Sequence, residues 1–288
     1  MFKSLSPGAV GINVPFEEAL KLAADHGFDA LDPNVGKAAE IANEQGIATV
    51  QKMYDDAGVK VGGWGLPVQF RTTDEEFEKS FEGFERLART AGQLGARWCS
   101  TWLMPCSDDV PFAQNFENHT RRLRACAEVL RAHGCRLGLE FVGPWTMRRD
   151  KKYPFIFDMS GMLKLCESIN TGNVGLLLDC WHWYTSWGSV QDILRLRGSD
   201  VVYVHINDAP EGIPEDEQVD NVRRLPGATG VIDISGFLAA LDAIGFDGPV
   251  AIEPFDNDLG ATSKENPNEG ARITAEAMNK VWSEAGLP

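Results

Sequence analysis

The chain has 288 residues, 43% hydrophobic and 24% charged, with a formal net charge of −15. It is long enough to bury about three quarters of its unfolded surface without covalent staples. With this acidity and no Lys/Arg run it repels phosphate backbones, which sets nucleic acid aside as a partner.

No apolar stretch reaches the length of a membrane span, and the start of the chain lacks the apolar core of a signal peptide. A membrane is therefore not expected as a partner, and the cytoplasm is the expected location. The six cysteines, Cys99, Cys106, Cys126, Cys135, Cys166 and Cys180, show no CxxC spacing. They read as free buried thiols of a reducing compartment.

In chain order, strands and helices alternate. Residues 9–13 read as a first strand. Residues 16–26 form an amphipathic helix, with Phe16, Ala19, Leu20 and Ala23 on one face, ended by Gly27. A strand over 28–32 leads to a helix over 36–57, broken near Gly46 and capped by Gly58. The third strand is 59–64. Thr73 and Glu76 make a capping box for a helix running to about Leu94. Strand four covers 97–102, and a long helix over 112–133 stops at Gly134. Strand five ends on Glu140, and Asp158 opens a helix that finishes around 170–172. Strand six ends on Asp179, and a short helix over 190–196 precedes strand seven, 201–205. A helix over 233–244 capped by Gly245, strand eight ending on Glu253, and a helix over 268–285 complete the chain.

About eight strand–helix units predict a (β/α)8 TIM barrel, an α/β fold, as a single domain over 1–288. A doubly wound sheet would need a glycine-rich phosphate loop after strand one, and none opens a helix there. Helix-to-strand connections are short and marked by glycine, whereas strand-to-helix connections are longer and richer in Pro, Trp and charge. Barrel enzymes carry function on that second side. Residues 208–229, the longest irregular stretch, read as a lid or substrate loop.

Four apolar strands end in ligand-type side chains: Glu140, Asp179, His205 and Glu253. Alternation puts Gly138 with Glu140, Gly175 and Leu177 with Asp179, and Ala251 with Glu253. The polar ends thus stand above small inward residues, which is expected to leave room in the barrel mouth. Three carboxylates and an imidazole from neighbouring strand tops suit one divalent ion, Mn²⁺, Mg²⁺, Co²⁺ or Zn²⁺. Without an ion the carboxylates repel, and one takes up a proton.

Glu140, Asp179-x-x-His182, His205-x-Asn207-Asp208, Arg223-Arg224-Leu225-Pro226-Gly227 and Glu253-Pro254 together resemble the xylose isomerase-like barrel superfamily. The resemblance is to its sugar (phosphate) isomerase/epimerase branch, with tagatose 3-epimerase, inosose dehydratase and hydroxypyruvate isomerase. It implies that Glu140, Asp179, His205 and Glu253 bind one divalent metal, with Mn²⁺ favoured. It also implies that Glu140 and Glu253 are the acid/base pair, and that His182 and Arg223 hold substrate oxygens. The choice between Arg223 and Arg224 rests on the Arg-x-Leu-Pro-Gly spacing, which favours Arg223. The superfamily's trinuclear-zinc endonucleases need further histidines. None lies between His26 and His119, and Asn221-Val222-Arg223 replaces an Asp-x-His.

Trp64, Trp102, Trp145 and Trp181 fall at or just after strand ends. They are expected as aromatic walls for a sugar ring. The expected function is a metal-dependent isomerase or epimerase of a small keto-sugar, working through an enolate. A lyase that dehydrates an inosose or eliminates from a 3-keto-glycoside would use the same chemistry. A non-catalytic sugar-binding subunit would not need both Glu140 and Glu253. Phosphorylation of the substrate and assembly into a homo-oligomer are left open.

Overall fold

The computed structural model describes residues 1–288. Its barrel strands are β1 (Phe2–Leu5), β2 (Ala30–Leu31), β3 (Lys60–Val61 and Trp64–Gly65) and β4 (Trp98–Trp102). They continue as β5 (Arg136–Glu140), β6 (Val174–Asp179), β7 (Val201–Ile206) and β8 (Pro249–Ile252). All pair in parallel, and β1 closes the ring by pairing with β8 on one side and β2 on the other. The two segments of β3 pair separately, the first with β2 and the second with β4. The result is the curled parallel sheet of a TIM barrel, with helices outside.

The first strand lies earlier than the sequence suggests. Residues 9–13 are not extended; Pro7–Val10 is a 3-10 turn with proline at its start, ended by Gly11 at φ 77. A Cβ on Gly11 would come within 3.0 Å of the Gly260 backbone, so the turn is locked against the C-terminal region. The helix expected over 36–57 divides at Gly46 into Val35–Gln45 and Ile47–Ala57. The helix after the Thr73 capping box also breaks, giving Asp74–Phe81 and Phe84–Leu94 around Gly83 at φ 76. Two further helices were not legible: Cys180–Thr185, capped by Asp179 itself, and Asn257–Glu265.

The core has two compartments. A cluster of 63 buried residues fills the layer between strands and helices. Inside the ring, Leu177, Tyr203 and Ala251 pack together with Trp98 against them. The room expected in the barrel mouth is present above this packing, bordered by Leu177 and Tyr203, but the strand glycines do not make it. A Cβ on Gly175 would lie 2.5 Å from the Asp200 carbonyl, and one on Gly138 would lie 3.2 Å from the Leu177 nitrogen. Those glycines permit close strand packing rather than leaving space, and Tyr203 fills the interior.

Tyr203 also explains the break in β3. Its hydroxyl donates to the Asp32 carboxylate, which accepts from Ser4 Oγ at 2.7 Å and from the Gly63 amide at 2.8 Å. A Cβ on Gly62 would sit 2.1 Å from Asp32 Oδ1, and one on Gly63 would sit 2.3 Å from the Tyr203 ring. Both positions need glycine so that the brace can cross the barrel.

No helix is long and apolar enough to cross a membrane. The six cysteines are free, all buried except the half-buried Cys166.

Gly63→Ala should force the Tyr203 ring out of place and destabilise the fold by about 1–3 kcal/mol, the usual cost of overpacking a dense interior. Urea unfolding measures this; an unchanged midpoint would show that the brace yields freely.

Candidate metal centre

Register brings the four expected ligands to one level. His205 pairs with Asp179 on β6 and with Ala251 on β8, and the Glu253 amide donates to the Ile206 carbonyl at 3.2 Å. Glu140 ends β5 opposite Trp102 on β4. One donor atom from each of Glu140, Asp179, His205 and Glu253 lies within 4.8 Å of all the others. His205 Nδ1 stands 3.4 Å from Glu140 Oε1 and 3.5 Å from Glu253 Oε2. Glu140 Oε1 and His205 Nδ1 are buried and make no hydrogen bond, an unstable arrangement unless something fills the space between them. Hard oxygens with one imidazole fit a divalent cation.

The electrostatics point the same way. Burial opposes a charge on His205, but Glu253, Glu140 and Asp179 outweigh it and raise its pKa to about 9. Burial pushes the Glu140 carboxyl up, and Glu253 adds to the effect. Burial also opposes the Asp179 charge, yet Arg223, His182 and His205 hold its pKa below the ordinary carboxylate value. Without an ion, the cluster therefore holds protons where an ion would hold positive charge.

Asp179 is fully engaged around its ligand position. Its Oδ1 accepts from the Trp181 amide at 2.7 Å and Asn207 Nδ2 at 3.0 Å, and its Oδ2 accepts from Arg223 at 2.7 Å. Arg223 is 1% exposed and reaches Glu253 Oε2 at 3.3 Å and Asp220 at 3.0 Å. Its guanidinium lies 5.3 Å from the centre of the Trp181 ring and 4.6 Å from that of Phe255. Of the two arginines left open by the sequence, Arg223 is the one at the cluster, while Arg224 pairs its backbone with Asp208. His182 is buried beside Arg223, and burial lowers its pKa to about 4, so it is neutral. Its Nδ1 lies 3.2 Å from the Gly143 amide and its Nε2 3.2 Å from Arg223 Nη2. A neutral imidazole has one lone pair, so it accepts only one of them at a time.

A cavity of about 700 Å³ opens over Glu140, His205 and Glu253. Trp64 and Trp102 line it. Trp181 and His182 lie behind the cluster, and Trp145 sits on a 3-10 turn against Arg148, so none of these lines the cavity. Phe255, Asp32, Asn34 and Lys37 line it and were not singled out from sequence. Phe255 carries a signal visible only in three dimensions, a φ of 39, rare for a bulky residue. A second cavity, about 720 Å³, opens at the opposite end of the barrel beside Phe2, Lys60 and Trp98, where no cluster of metal-ligand side chains forms.

The expected substrate loop is tied down. Asp208 pairs with Arg224, Asp220 holds Arg223, and Thr146 Oγ1 donates to the Gln218 carbonyl at 2.7 Å. His26 and His133 end helices, and His119 lies buried within Phe112–Ala132; none approaches the cluster.

A sequence profile for the xylose isomerase-like TIM barrel matches residues 20–281. An inosose isomerase of Bacillus velezensis is 22% identical over 268 residues, covering 92% of each chain. A 3-dehydroshikimate dehydratase of Pseudomonas putida is 31% identical over 274 residues, spanning 93% of this chain and 40% of that longer protein. The structure of a xylose isomerase domain protein from Alicyclobacillus acidocaldarius superposes with a TM-score of 0.86 at 31% identity, covering 99% of both chains.

Metal binding at this cluster should compete with protons. His205 must lose the proton that its neighbours hold up to a pKa of about 9, so affinity rises with pH and levels off above that value. Below it, the dissociation constant for Mn²⁺ should worsen about tenfold per pH unit for each proton displaced. Calorimetric titration from pH 7 to 9, in buffers of different ionisation enthalpy, reads both the slope and the proton release. A flat profile would mean that His205 is not a ligand.

Proposed function

The chain belongs to the xylose isomerase-like TIM barrel family, and from that premise we propose that it is a divalent-metal-dependent isomerase or epimerase of a keto-sugar. The observation that carries this reading is the pair Glu140 and Glu253, each about 3.5 Å from His205 Nδ1 and both facing one cavity. Glu140, Asp179, His205 and Glu253 would hold the ion, with Mn²⁺ favoured. A bound divalent ion would supply Lewis-acid stabilisation of negative charge on substrate oxygens.

The protein's own groups do the proton work. One of the two glutamates removes the hydrogen next to the substrate carbonyl, and the other returns a proton from the opposite side. The burial that raises Glu140 brings it closer to neutral pH, where a carboxyl can both take and give a proton. Trp64, Trp102 and Phe255 present aromatic surface to a sugar ring. Arg223 is buried against Asp179 and Glu253, so we assign it a positioning part rather than the substrate contact expected from sequence. His182 supports Arg223 in the same way.

The substrate is read as unphosphorylated. Barrels commonly take phosphate on the backbone amides that follow strand seven. Here the Asp208 carboxylate accepts from the amides of Ala209, Thr229, Gly230 and Ile232, at 2.8 to 3.1 Å. An internal carboxylate therefore uses the amides that a phosphate would need.

A second reading, a lyase, is supported by the 31% identity to a 3-dehydroshikimate dehydratase. The same proton abstraction would then be followed by loss of a leaving group from the neighbouring carbon.

Solvent-deuterium exchange into a panel of keto-sugars with Mn²⁺ tests the shared step. Glu140→Gln and Glu253→Gln should each lose several orders of magnitude in turnover while still binding substrate. The variant lacking the base for a given direction should lose exchange, and the variant lacking only the opposite acid should keep it. Normal turnover by Glu253→Gln would defeat the paired-carboxylate mechanism.

A further inference from the structure

One carboxylate at the mouth stands apart from the metal cluster. Asp32 lines the same cavity as Glu140, His205 and Glu253. Strand register sets its height. Lys3 pairs with Val250 and Leu5 with Leu31, so counting on along the strands brings Ser6 level with Glu253 and Asp32 level with Ser6. All three line the cavity. Asp32 therefore shares the level of the cluster, two strands round the ring from Glu253. At about 4.8 Å per strand, the two carboxylates stand up to about 10 Å apart.

The bonds that hold Asp32 leave its outer side open. Oδ1 accepts from Ser4 Oγ at 2.7 Å and from the Gly63 amide at 2.8 Å, and Oδ2 accepts from the Tyr203 hydroxyl. Ser4 and Tyr203 are buried, whereas Asp32 is half-buried and faces the cavity. A carboxylate oxygen can accept twice, so Oδ2 keeps a position. Burial raises the Asp32 pKa, and the groups that counter it, Ser4, Tyr203, Gly63 and Ser6, are all uncharged. The Ser6 side chain caps no helix, and its hydroxyl can turn toward a ligand. Lys37 also lines the cavity but pairs with Glu40 at 2.9 Å. No cation satisfies Asp32, so the partner it lacks is a hydrogen-bond donor on a ligand.

We propose that Asp32 is a specificity-determining residue that accepts a hydrogen bond from a substrate hydroxyl remote from the reacting carbonyl, across the mouth from the metal cluster. This rests on the enolate reading and gives the mouth a length requirement. An oxygen on the metal and a hydrogen bond at Asp32 take about 5 Å of the span, which leaves about 5 Å for the substrate itself. A hydroxyl on the carbon next to the ketone lies too near the ketone to reach. One on the carbon opposite the ketone of a six-membered ring, or on an equally distant carbon of a chain, does reach. Keto compounds of three carbons are excluded.

A pentahydroxycyclohexanone and the tetrahydroxy analogue lacking the hydroxyl opposite the ketone test this without requiring turnover. Neither interconverts between open and closed sugar forms, so they differ in that one group. Calorimetry on the manganese-loaded protein should find the parent bound about ten- to a hundredfold more tightly, the range for a hydrogen bond to a charged group. Asp32→Asn keeps the size but offers a neutral acceptor worth about half the energy, so the preference should fall to about three- to tenfold. Tyr203→Phe removes the hydrogen bond of the brace and leaves the carboxylate, so it should keep the full preference even where both ligands bind more weakly. Equal binding of the two by the wild type, binding of neither, or an unchanged preference in Asp32→Asn would overturn the proposal. A preference lost equally in Tyr203→Phe would overturn it too, by making Asp32 a part of the brace alone. The wild-type comparison decides the matter whether or not Asp32→Asn folds. Deuterium exchange keeps the two readings apart. Exchange into keto-sugars without the preference sinks the hydroxyl contact alone. The preference without exchange into any keto compound sinks the enolate reading.

Discussion

Three carboxylates from three strands converge on one imidazole at the barrel mouth, and the surrounding structure is arranged around the cost of doing so. Two like charges about 4–5 Å apart repel by about 3–4 kcal/mol at the effective dielectric of a protein site. The chain offsets this by burying Arg223 against Asp179 and Glu253. With His205 protonated, the cluster and Arg223 together still carry excess negative charge. Replacing that proton with a divalent ion brings the group to neutrality. That balance connects the orphaned atoms of Glu140 and His205, the raised pKa of His205 and the engagement of both Asp179 oxygens.

A second constraint lies below the cluster. The barrel interior is narrow, and Tyr203 occupies it with its hydroxyl on Asp32 across the ring. Its ring meets His205 edge-on, with centres 5.2 Å apart. The brace therefore supports the imidazole from beneath while Arg223 supports Asp179 from behind. Gly62 and Gly63 give the brace its space, at the expense of continuous pairing in β3.

Much of this was legible in the sequence because it is written in local pattern. Apolar runs that end in Glu140, Asp179, His205 and Glu253 identify buried strands and the residues at their tops. Glycines after helices mark the short connections, and the Thr73 capping box and the Gly46 break have local signatures. The first strand was misplaced because an apolar run containing glycine resembles a strand, whereas Pro7 and Gly11 make a turn there. The roles of Tyr203, Asp32 and Phe255 were hidden for a different reason. Each depends on partners from distant strands or on an unusual backbone angle, and neither leaves a spacing pattern. Trp145 and Trp181 stand near strand ends as expected, but a position near a strand end does not decide which way an indole faces.

The central claim is that Glu140, Asp179, His205 and Glu253 form one metal centre. Anomalous diffraction from crystals grown with Mn²⁺ tests it most directly. The account predicts a single strong peak at the barrel mouth, about 2.0–2.3 Å from His205 Nδ1 and from an oxygen of each of the three carboxylates. A peak that leaves any of the four out of range, or no peak at the mouth with the protein saturated in Mn²⁺, would contradict it.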